Sequence, residues 1–513
     1  MSSSDAPVAP VEEIVWHRAH PAYMLTALLR NLRGFIFPVI VLFLGRDAGQ
    51  GGRTGSLVFF GISAIILLLS GIVGVIQWRV YRYALTPDRL LVHSGIVFRQ
   101  ERAIPYQRIQ SVDLEQAPLD QLFGVSRMKV ETAAGGAESD VELKAVKQAD
   151  ALALRDRLLS ARRHAGEGTP VSGDVPAPVV ATEGRLLHSL SFRDLLFAGA
   201  TSGTIGPALA IIGVGMRFAE DIVPDSWWRR VPWEDVSDAS TRFSVIAVVV
   251  LLVAVIAWLL AIGGTVLTWY GFELRRDDTH LIVQYGLLDR RRTTIPIGRI
   301  QAVRVEEPLL RQPFRLATLR YDSAGRAGSE EGGSGVLCPM MPRRDVEALL
   351  RIAAPEFAVE TDHPRLERLP KRALSRYIVG KTGASLAAVG LAMAGVWWWR
   401  DGLPWWGYLA LIWPVLEIVF GWLGWRDAGW RVQDGLLVLR ARGLERSLVI
   451  APLRRIQHRG TTANPFQRRG RLATLHIAVA SGGLGGHYSL RHIDAETGIA
   501  LLHALAPRRS RSG

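Results

Sequence analysis

Few residues in this chain of 513 have types and spacings that could carry out chemistry. Gly380, Lys381 and Thr382 resemble the end of a phosphate-binding loop, in which backbone N–H groups and a lysine cradle a nucleotide. That loop needs a glycine where Ser375 stands, and it needs a strand leading into it. Here the segment instead opens a long apolar run. Nucleotide binding is therefore not predicted.

Four histidines and a single cysteine are the remaining candidates for metal or nucleophilic chemistry: His458, His476, His487, His492 and Cys338. The histidine spacings match no standard ligand pattern, and alternation along strands would scatter them over both faces of a sheet. The cysteine lies in an apolar segment without an activating base nearby, and one cysteine excludes an internal disulfide. We predict no catalytic, cofactor-binding or metal-binding residues and no enzymatic activity.

Arginine gives the chain a strongly basic balance. The sequence has 61 Lys+Arg against 47 Asp+Glu, a formal net charge of +14. The candidate contacts for anionic lipid headgroups or a protein partner are Arg290, Arg291, Arg292, Arg440, Arg442, Arg446, Arg468, Arg469 and Arg471. The alternative is a solvated basic face that pairs with acids of its own domain. No DNA-reading helix accompanies the charge, so nucleic acid is not a predicted partner.

The apolar residues gather into runs long enough to cross a bilayer core of about 30 Å, which takes roughly 20 helical residues. Five runs are clear. A sixth contains Arg30, Asn31 and Arg33, and its arginines can reach toward one interface. We therefore predict six transmembrane helices in three hairpins: 24–44 with 57–76, 195–216 with 243–267, and 378–399 with 405–425.

The distribution of charge predicts how these helices are oriented. The connections within the hairpins, 45–56, 217–242 and 400–404, carry seven Lys+Arg, which leaves 54 elsewhere. By the positive-inside rule, the connections face outward, and both termini and all long segments face the cytoplasm. The acidic, proline-containing N-terminus has no signal-peptide pattern and is expected to be retained.

Glu417 is the one carboxylate deep inside a predicted span. Ionisable groups at that depth are costly and commonly functional, so a transport or lipid-handling pathway through the six helices is an alternative hypothesis. The competing interpretation is a hydrogen-bonded or protonated side chain that faces the bundle. A separate pattern, Gly199 and Gly203, predicts close packing of the third span against a neighbour.

One strand-rich unit occurs three times, each time after the second span of a hairpin. Its signature is Arg-Ile-Gln, three residues after a proline: Arg108, Ile109 and Gln110; Arg299, Ile300 and Gln301; Arg455, Ile456 and Gln457. Short segments around it alternate apolar and polar residues, as strands do. Each unit closes with an amphipathic helix, at 150–163, 343–353 and 494–505. Strand alternation would bury the three isoleucines, so the signature is interpreted as structural.

These patterns divide the chain into alternating membrane and cytoplasmic parts. The predicted parts are an N-terminal segment (1–23), transmembrane hairpins (24–76, 185–267 and 378–425), β modules (77–163, 268–357 and 426–506), linkers (164–184 and 358–377) and a basic tail (507–513).

A span hairpin followed by a unit with this Pro-x-x-Arg-Ile-Gln signature resembles the bacterial PH-like membrane proteins of the YdbS/YdbT type. The three-module, six-span form resembles the YdbT-like members over nearly the whole chain, although Ala451 replaces the isoleucine before the third proline. The resemblance implies a PH-like fold for each module, a bent seven-stranded sheet capped by a C-terminal helix, and no catalytic residues.

The hypothesis that follows is a non-enzymatic protein of the bacterial cytoplasmic (inner) membrane that presents three PH-like modules to the cytoplasm. The modules would form a lipid- or protein-binding platform in envelope maintenance or antimicrobial resistance. The expected partners are the bilayer, its anionic headgroups and a smaller one-module PH-like membrane protein.

Overall fold

The computed structural model describes residues 15–26, 53–95, 99–132, 141–166, 184–202, 239–324, 334–400, 402, 405–481 and 486–504. Most of the predicted spans 24–44 and 195–216, including Gly203, most of the linker 164–184 and the tail 507–513 lie outside these ranges.

The helices of the described ranges are α1 (Arg53–Val80), α2 (Pro118–Leu122), α3 (Gln148–Gly166), α4 (Phe192–Ala200), α5 (Ala239–Trp269), α6 (Arg343–Ala353), α7 (Ala373–Arg400), α8 (Ile412–Asp427), α9 (Pro465–Arg469) and α10 (Ala495–Ala504). Within those ranges, three helical stretches are long and apolar enough to cross a membrane: Val250–Trp269, Ala373–Trp399 and Gly407–Asp427. They correspond to the fourth, fifth and sixth predicted spans, and α1 contains the second. The count of six spans remains a prediction.

Helices α4 and α5 approach each other closely at Gly199. A Cβ added there would lie 2.8 Å from the Cα of Ile262 and 3.1 Å from its carbonyl oxygen. One turn away along α5, the indole N–H of Trp258 donates to the carbonyl of Ala200 at 3.0 Å. A glycine is needed here because two helix backbones meet, which confirms the close packing predicted from the small residues.

Replacing Gly199 by leucine is expected to destabilise the detergent-solubilised chain by about 1–3 kcal/mol, because the added side chain forces α4 away from α5. Gly263→Leu is the matched control, since a Cβ at that position meets nothing within 4 Å. Thermal unfolding in a mild detergent measures both variants. Equal unfolding midpoints would contradict the close approach at Gly199.

Each repeat supplies seven strands. Those of module 1 are β1 (Trp16–Arg18), β2 (Arg82–Leu85), β3 (Arg89–Ser94), β4 (Gln100–Pro105), β5 (Ile109–Gln116), β6 (Val125–Thr132) and β7 (Val141–Lys147). Those of module 2 are β8 (Arg185–Ser189), β9 (Glu273–Arg276), β10 (His280–Tyr285), β11 (Arg290–Pro296), β12 (Ile300–Glu307), β13 (Leu316–Ser323) and β14 (Ser334–Pro342). Those of module 3 are β15 (Glu367–Arg368), β16 (Gly429–Gln433), β17 (Leu436–Arg442), β18 (Arg446–Pro452), β19 (Ile456–Thr462), β20 (Leu472–Val479) and β21 (His487–Asp494).

The first strand of each set lies before the apolar segments of its repeat, and the other six follow them. Each predicted transmembrane hairpin is therefore inserted between the first and second strands of a module. For example, β15 pairs with β16 across the whole of α7 and α8. This long-range pairing has no sequence signal, because β15 has only two residues.

The sheets do not follow the repeats. Their strand orders are β1-β2-β3-β4, β7-β6-β5-β11-β10-β9-β8, β14-β13-β12-β18-β17-β16-β15 and β19-β20-β21. The last three strands of module 1 thus join the first four of module 2 through β5 and β11, which we call the first junction. The second junction joins module 2 to module 3 through β12 and β18. The family resemblance implied one bent sheet per module, whereas here each seven-stranded sheet is shared by two modules.

A helix closes each module, as the amphipathic patterns predicted. Helix α6 has the predicted bounds, and it buries Val346, Leu349 and Leu350 against the module 2 strands. The same hydrophobic core continues onto Leu448 and Ile450 of module 3. The second junction is therefore stabilised by shared apolar burial as well as by strand pairing.

Candidate functional site

The Arg-Ile-Gln signature lies where the two halves of a module meet. In each copy, a 3-10 turn ends at the arginine and a strand begins at the isoleucine: Tyr106–Arg108, Ile297–Arg299 and Leu453–Arg455 are the turns. Ile109 and Ile300 are fully buried, and Ile456 is half-buried. The remaining signature side chains are exposed or half-buried, namely Arg108, Gln110, Arg299, Gln301, Arg455 and Gln457. The burial of the isoleucines supports a structural role for the signature.

Three of the candidate lipid-contacting arginines converge on the end of α8. Arg442 donates to the Asp427 carboxylate at 2.5 Å, Arg446 donates to the same carboxylate at 3.1 Å, and Arg440 donates to the Asp427 carbonyl oxygen at 2.5 Å. Arg446 also pairs with Glu307 of module 2 at 3.2 Å. These guanidinium groups are engaged inside the protein, between a helix end and two modules. The structure therefore does not support headgroup contacts for these three arginines.

The second candidate cluster lies on the first junction. Arg290, Arg291 and Arg292 of β11 lie opposite residues 116, 115 and 114 of β5 in an antiparallel register. The guanidinium of Arg291 also pairs with Asp289 at 2.9 Å. These arginines lie where modules 1 and 2 join. They belong to a different sheet from the one that β19, β20 and β21 form.

The third candidate cluster is exposed. Arg468 and Arg469 lie on α9, Arg471 follows it, and none of the three forms an ion pair with a described carboxylate. The ring of Phe466 beside them is 62% exposed. Asn464 caps α9, because its side-chain oxygen accepts from the N–H of Gln467 at 2.7 Å. We call Phe466, Arg468, Arg469 and Arg471 the α9 patch.

The α9 patch lies beside the N-terminal end of α7. The guanidinium of Arg376 lies 5.9 Å from the centre of the Phe466 ring, and Arg372 donates to the carbonyl of Arg471 at 3.4 Å. Arg372 also pairs with Asp494 of module 3. Helix α7 is long and apolar enough to cross a membrane. The patch therefore places exposed arginines and an exposed aromatic ring beside one end of a candidate span.

Arg311 couples module 2 to helix α4, at the start of the third predicted span, although nothing in the sequence distinguishes it from the many other arginines. It is 5% exposed. Within module 2, it donates to the Thr318 hydroxyl at 2.5 Å and to the Pro339 carbonyl at 2.7 Å. Toward α4, it donates to the Ala198 carbonyl at 3.1 Å and to the Thr201 hydroxyl at 3.2 Å.

Two glutamines at equivalent positions close the two junctions. The side-chain amide of Gln121 donates to the carbonyl of Leu288 at 2.5 Å across the first junction. That of Gln312 donates to the carbonyl of Leu444 at 3.2 Å across the second. Both glutamines stand eleven residues after the signature glutamine of their repeat, a recurrence that is visible in the sequence.

Glu417 contacts the neighbouring helix. The hydroxyl of Ser385 on α7 donates to its carboxylate at 2.5 Å. On the same face of α8, a Cβ added to Gly421 would lie 2.9 Å from the carbonyl of Tyr377. This is the hydrogen-bonded, bundle-facing arrangement that the sequence left open. It gives the transport hypothesis no added support.

Among the described residues, no group of three His, Cys, Asp or Glu is arranged to hold a metal ion. His476 and Thr462 share a hydrogen bond of 2.8 Å, and His492 and Gln467 share one of 3.1 Å. Cys338 is fully buried, its thiol donates to the carbonyl of Met340, and burial raises its pKa to about 12. The cysteine is therefore a protonated core residue.

Modules of seven strands and a closing helix, joined to long apolar helices, define a membrane protein built from repeated β modules. A family model described as the bacterial PH domain matches residues 34–162, 231–356 and 378–509, and the chain belongs to this family. It is similar to the transmembrane protein YdbT of Bacillus subtilis, with 25% identity over 504 residues that cover 94% of this chain and 97% of the relative. These matches confirm the YdbT-like, three-module resemblance and a membrane location. No solved structure matches the chain significantly.

Proposed function

We propose that this protein is a non-enzymatic component of the bacterial cytoplasmic membrane that presents its PH-like modules to the cytoplasm and binds anionic lipid headgroups. The observation that carries the proposal is the α9 patch. Its three arginines are exposed, without a described carboxylate partner, and they lie beside the end of a helix that is long and apolar enough to cross a membrane.

The physical basis is the concentration of negative charge at a membrane surface. A basic side chain near an anionic leaflet gains about 1 kcal/mol, and this gain falls off within a Debye length. Phe466 adds an aromatic ring that can enter the interfacial region, where such rings are favoured. Arg376 in the first turn of α7 adds positive charge on the same side.

Reversing the charge of the α9 patch tests the proposal. The triple variant Arg468→Glu, Arg469→Glu and Arg471→Glu of the full chain, in mild detergent, is titrated with short-chain phosphatidylglycerol, and with short-chain phosphatidylcholine for comparison. The affinity for phosphatidylglycerol is expected to fall by about tenfold or more, since three favourable charges are lost. The affinity for phosphatidylcholine is expected to stay unchanged.

A control with the same change in net charge replaces Arg89, Arg344 and Arg351 by glutamate. These arginines are exposed, but each has an acidic neighbour in its own module. The control is expected to keep the wild-type affinity. Equal affinity of wild type and patch variant, or equal losses in patch variant and control, would refute headgroup binding at α9.

A role in envelope maintenance or antimicrobial resistance, and a smaller one-module PH-like membrane protein as partner, remain predictions. A protein partner would be recovered by affinity purification of the full chain from membranes under mild detergent. A lipid role and a protein role are compatible, since the modules offer more surface than the α9 patch occupies.

A further inference from the structure

The two junctions pair equivalent strands in the same register. In the first junction, Arg292 of β11 lies opposite Leu114 of β5, and in the second, Leu448 of β18 lies opposite Val305 of β12. Arg292 and Leu448 each stand four residues before the proline that precedes the signature. Leu114 and Val305 each stand four residues after the signature glutamine. The chain therefore uses one mode of sheet extension twice.

The strands that could form a third such junction lie at the two ends of the row of modules. β4 is the equivalent of β11 and β18, and within the described ranges it pairs with β3 alone. β19 is the equivalent of β5 and β12, and it pairs there with β20 alone. An edge strand of this kind offers a row of backbone N–H and C=O groups to another chain.

The exposure of these two edges sets them apart from their equivalents. Leu114 is 7% exposed and Val305 1% exposed, whereas their equivalent on β19, Thr461, is only half-buried. On the opposite strand of the junctions, Leu448 is buried and Arg292 is half-buried, whereas their equivalent on β4, Glu101, is exposed. Within the described ranges, no second strand pairs along either edge.

We propose that β19 of one copy pairs with β4 of a second copy of this chain and repeats the junction between molecules. The register of the two internal junctions places Thr461 opposite Glu101 of the second copy. A second copy is the fitting occupant because each chain carries one edge of each kind, and the internal junctions show that the two kinds are complementary. Such head-to-tail pairing leaves one β4 and one β19 open at its ends, so it can continue along the membrane.

The charges on β4 do not oppose this pairing. Charged residues commonly protect edge strands from association. In this protein, however, β11 carries three consecutive arginines and still pairs with β5. The chain is also held at a membrane, which confines copies to one plane and raises the frequency of their encounters.

Cysteine cross-linking tests both the partner and the register. Chains with Glu101→Cys and chains with Thr461→Cys carry different tags, are produced together, and are oxidised in native membranes with copper phenanthroline. The native Cys338 gives no background, because it is fully buried. A disulfide that joins the two tags is expected, because directly opposed positions bring the two cysteines within bonding distance.

The matched control pairs Glu101→Cys with Gly460→Cys. Gly460 neighbours Thr461 on β19, and its side chain would point to the other face of the sheet. The Glu101 and Thr461 pair is expected to give about tenfold more mixed-tag dimer than this control. Equal yields, or no mixed-tag dimer, would overturn the proposal. The double variant Glu101→Cys/Thr461→Cys gives a second test. If it forms only an internal disulfide and no cross-linked oligomers, the proposal is also overturned, because β4 and β19 would then pair within one chain.

Discussion

Asp427→Ala is expected to destabilise the full chain by about 3–5 kcal/mol, because it leaves buried arginine charge without its partner. The side chain of Arg442 is 6% exposed, and that of Asp427 is 15% exposed. The substitution leaves Arg446 with one carboxylate partner, Glu307, instead of two. Glu307 also pairs with Arg343, at 3.4 Å. The substitution therefore disturbs the contact between α8 and both neighbouring modules.

Thermal unfolding of the detergent-solubilised chain measures this effect. Glu347→Ala is the matched control, since Glu347 forms an i, i+4 pair with an arginine that is 70% exposed and such pairs contribute little. The unfolding temperature is expected to fall strongly in Asp427→Ala and hardly at all in Glu347→Ala. The double variant Asp427→Ala/Arg442→Met is expected to recover part of the loss, because no unpaired charge then remains at Arg442. Equal falls in the two single variants would contradict the buried network.

Arg311→Leu is expected to lower the free energy of unfolding by several kcal/mol, because it removes four hydrogen bonds that join module 2 to the end of α4. A buried group left without a hydrogen bond costs about 1–3 kcal/mol, and Arg311 serves Thr318 and Pro339 in module 2 as well as Ala198 and Thr201 beside α4. Arg311→Lys keeps the positive charge but lacks the several N–H donors of the planar guanidinium. An intermediate loss of stability is therefore expected.

Hydrogen exchange separates this coupling from a general loss of stability. Residues 192–200 of α4 are expected to exchange faster in Arg311→Leu, while the strands of module 1 keep their wild-type protection. Arg351→Leu serves as the control, because Arg351 is exposed and its ion pair is with Glu347 of its own helix. Unchanged exchange in α4 would show that Arg311 does not join module 2 to this helix.

The local features of the fold could be predicted from the sequence. Helix α6 begins and ends where the amphipathic pattern places it, and Ile109 and Ile300 are buried as strand alternation requires. These properties follow from periodicity over a few residues, which the sequence displays directly. The repeat of the signature likewise identified the modules.

The arrangement of the modules could not be predicted in this way. Pairing between β12 and β18 joins residues more than a hundred positions apart, with α7 and α8 between them. Hydrophobic patterns show that a strand has a buried face, but they do not show which strand lies beside it. Only the recurrence of Gln121 and Gln312 hinted that equivalent edges are used.

The sequence also did not separate the arginines that are paired inside the protein from those of the exposed candidate site. Charge density grouped Arg440, Arg442 and Arg446 with the α9 patch, although the first three face Asp427 and the patch does not. Asp427 stands at the end of an apolar helix, and the arginines lie on the strands after it. Composition cannot distinguish an arginine paired across such a boundary from one that faces lipid.

The side of the membrane on which the modules lie decides between the platform and every outward-facing alternative. Asp88→Cys in module 1, Arg344→Cys in module 2 and Leu444→Cys in module 3 are single exposed positions, and Cys338 is buried. A membrane-impermeant maleimide is applied to inverted and to right-side-out vesicles. Labelling of all three positions in inverted vesicles alone is predicted. Labelling of any of them in sealed right-side-out vesicles would contradict the cytoplasmic platform.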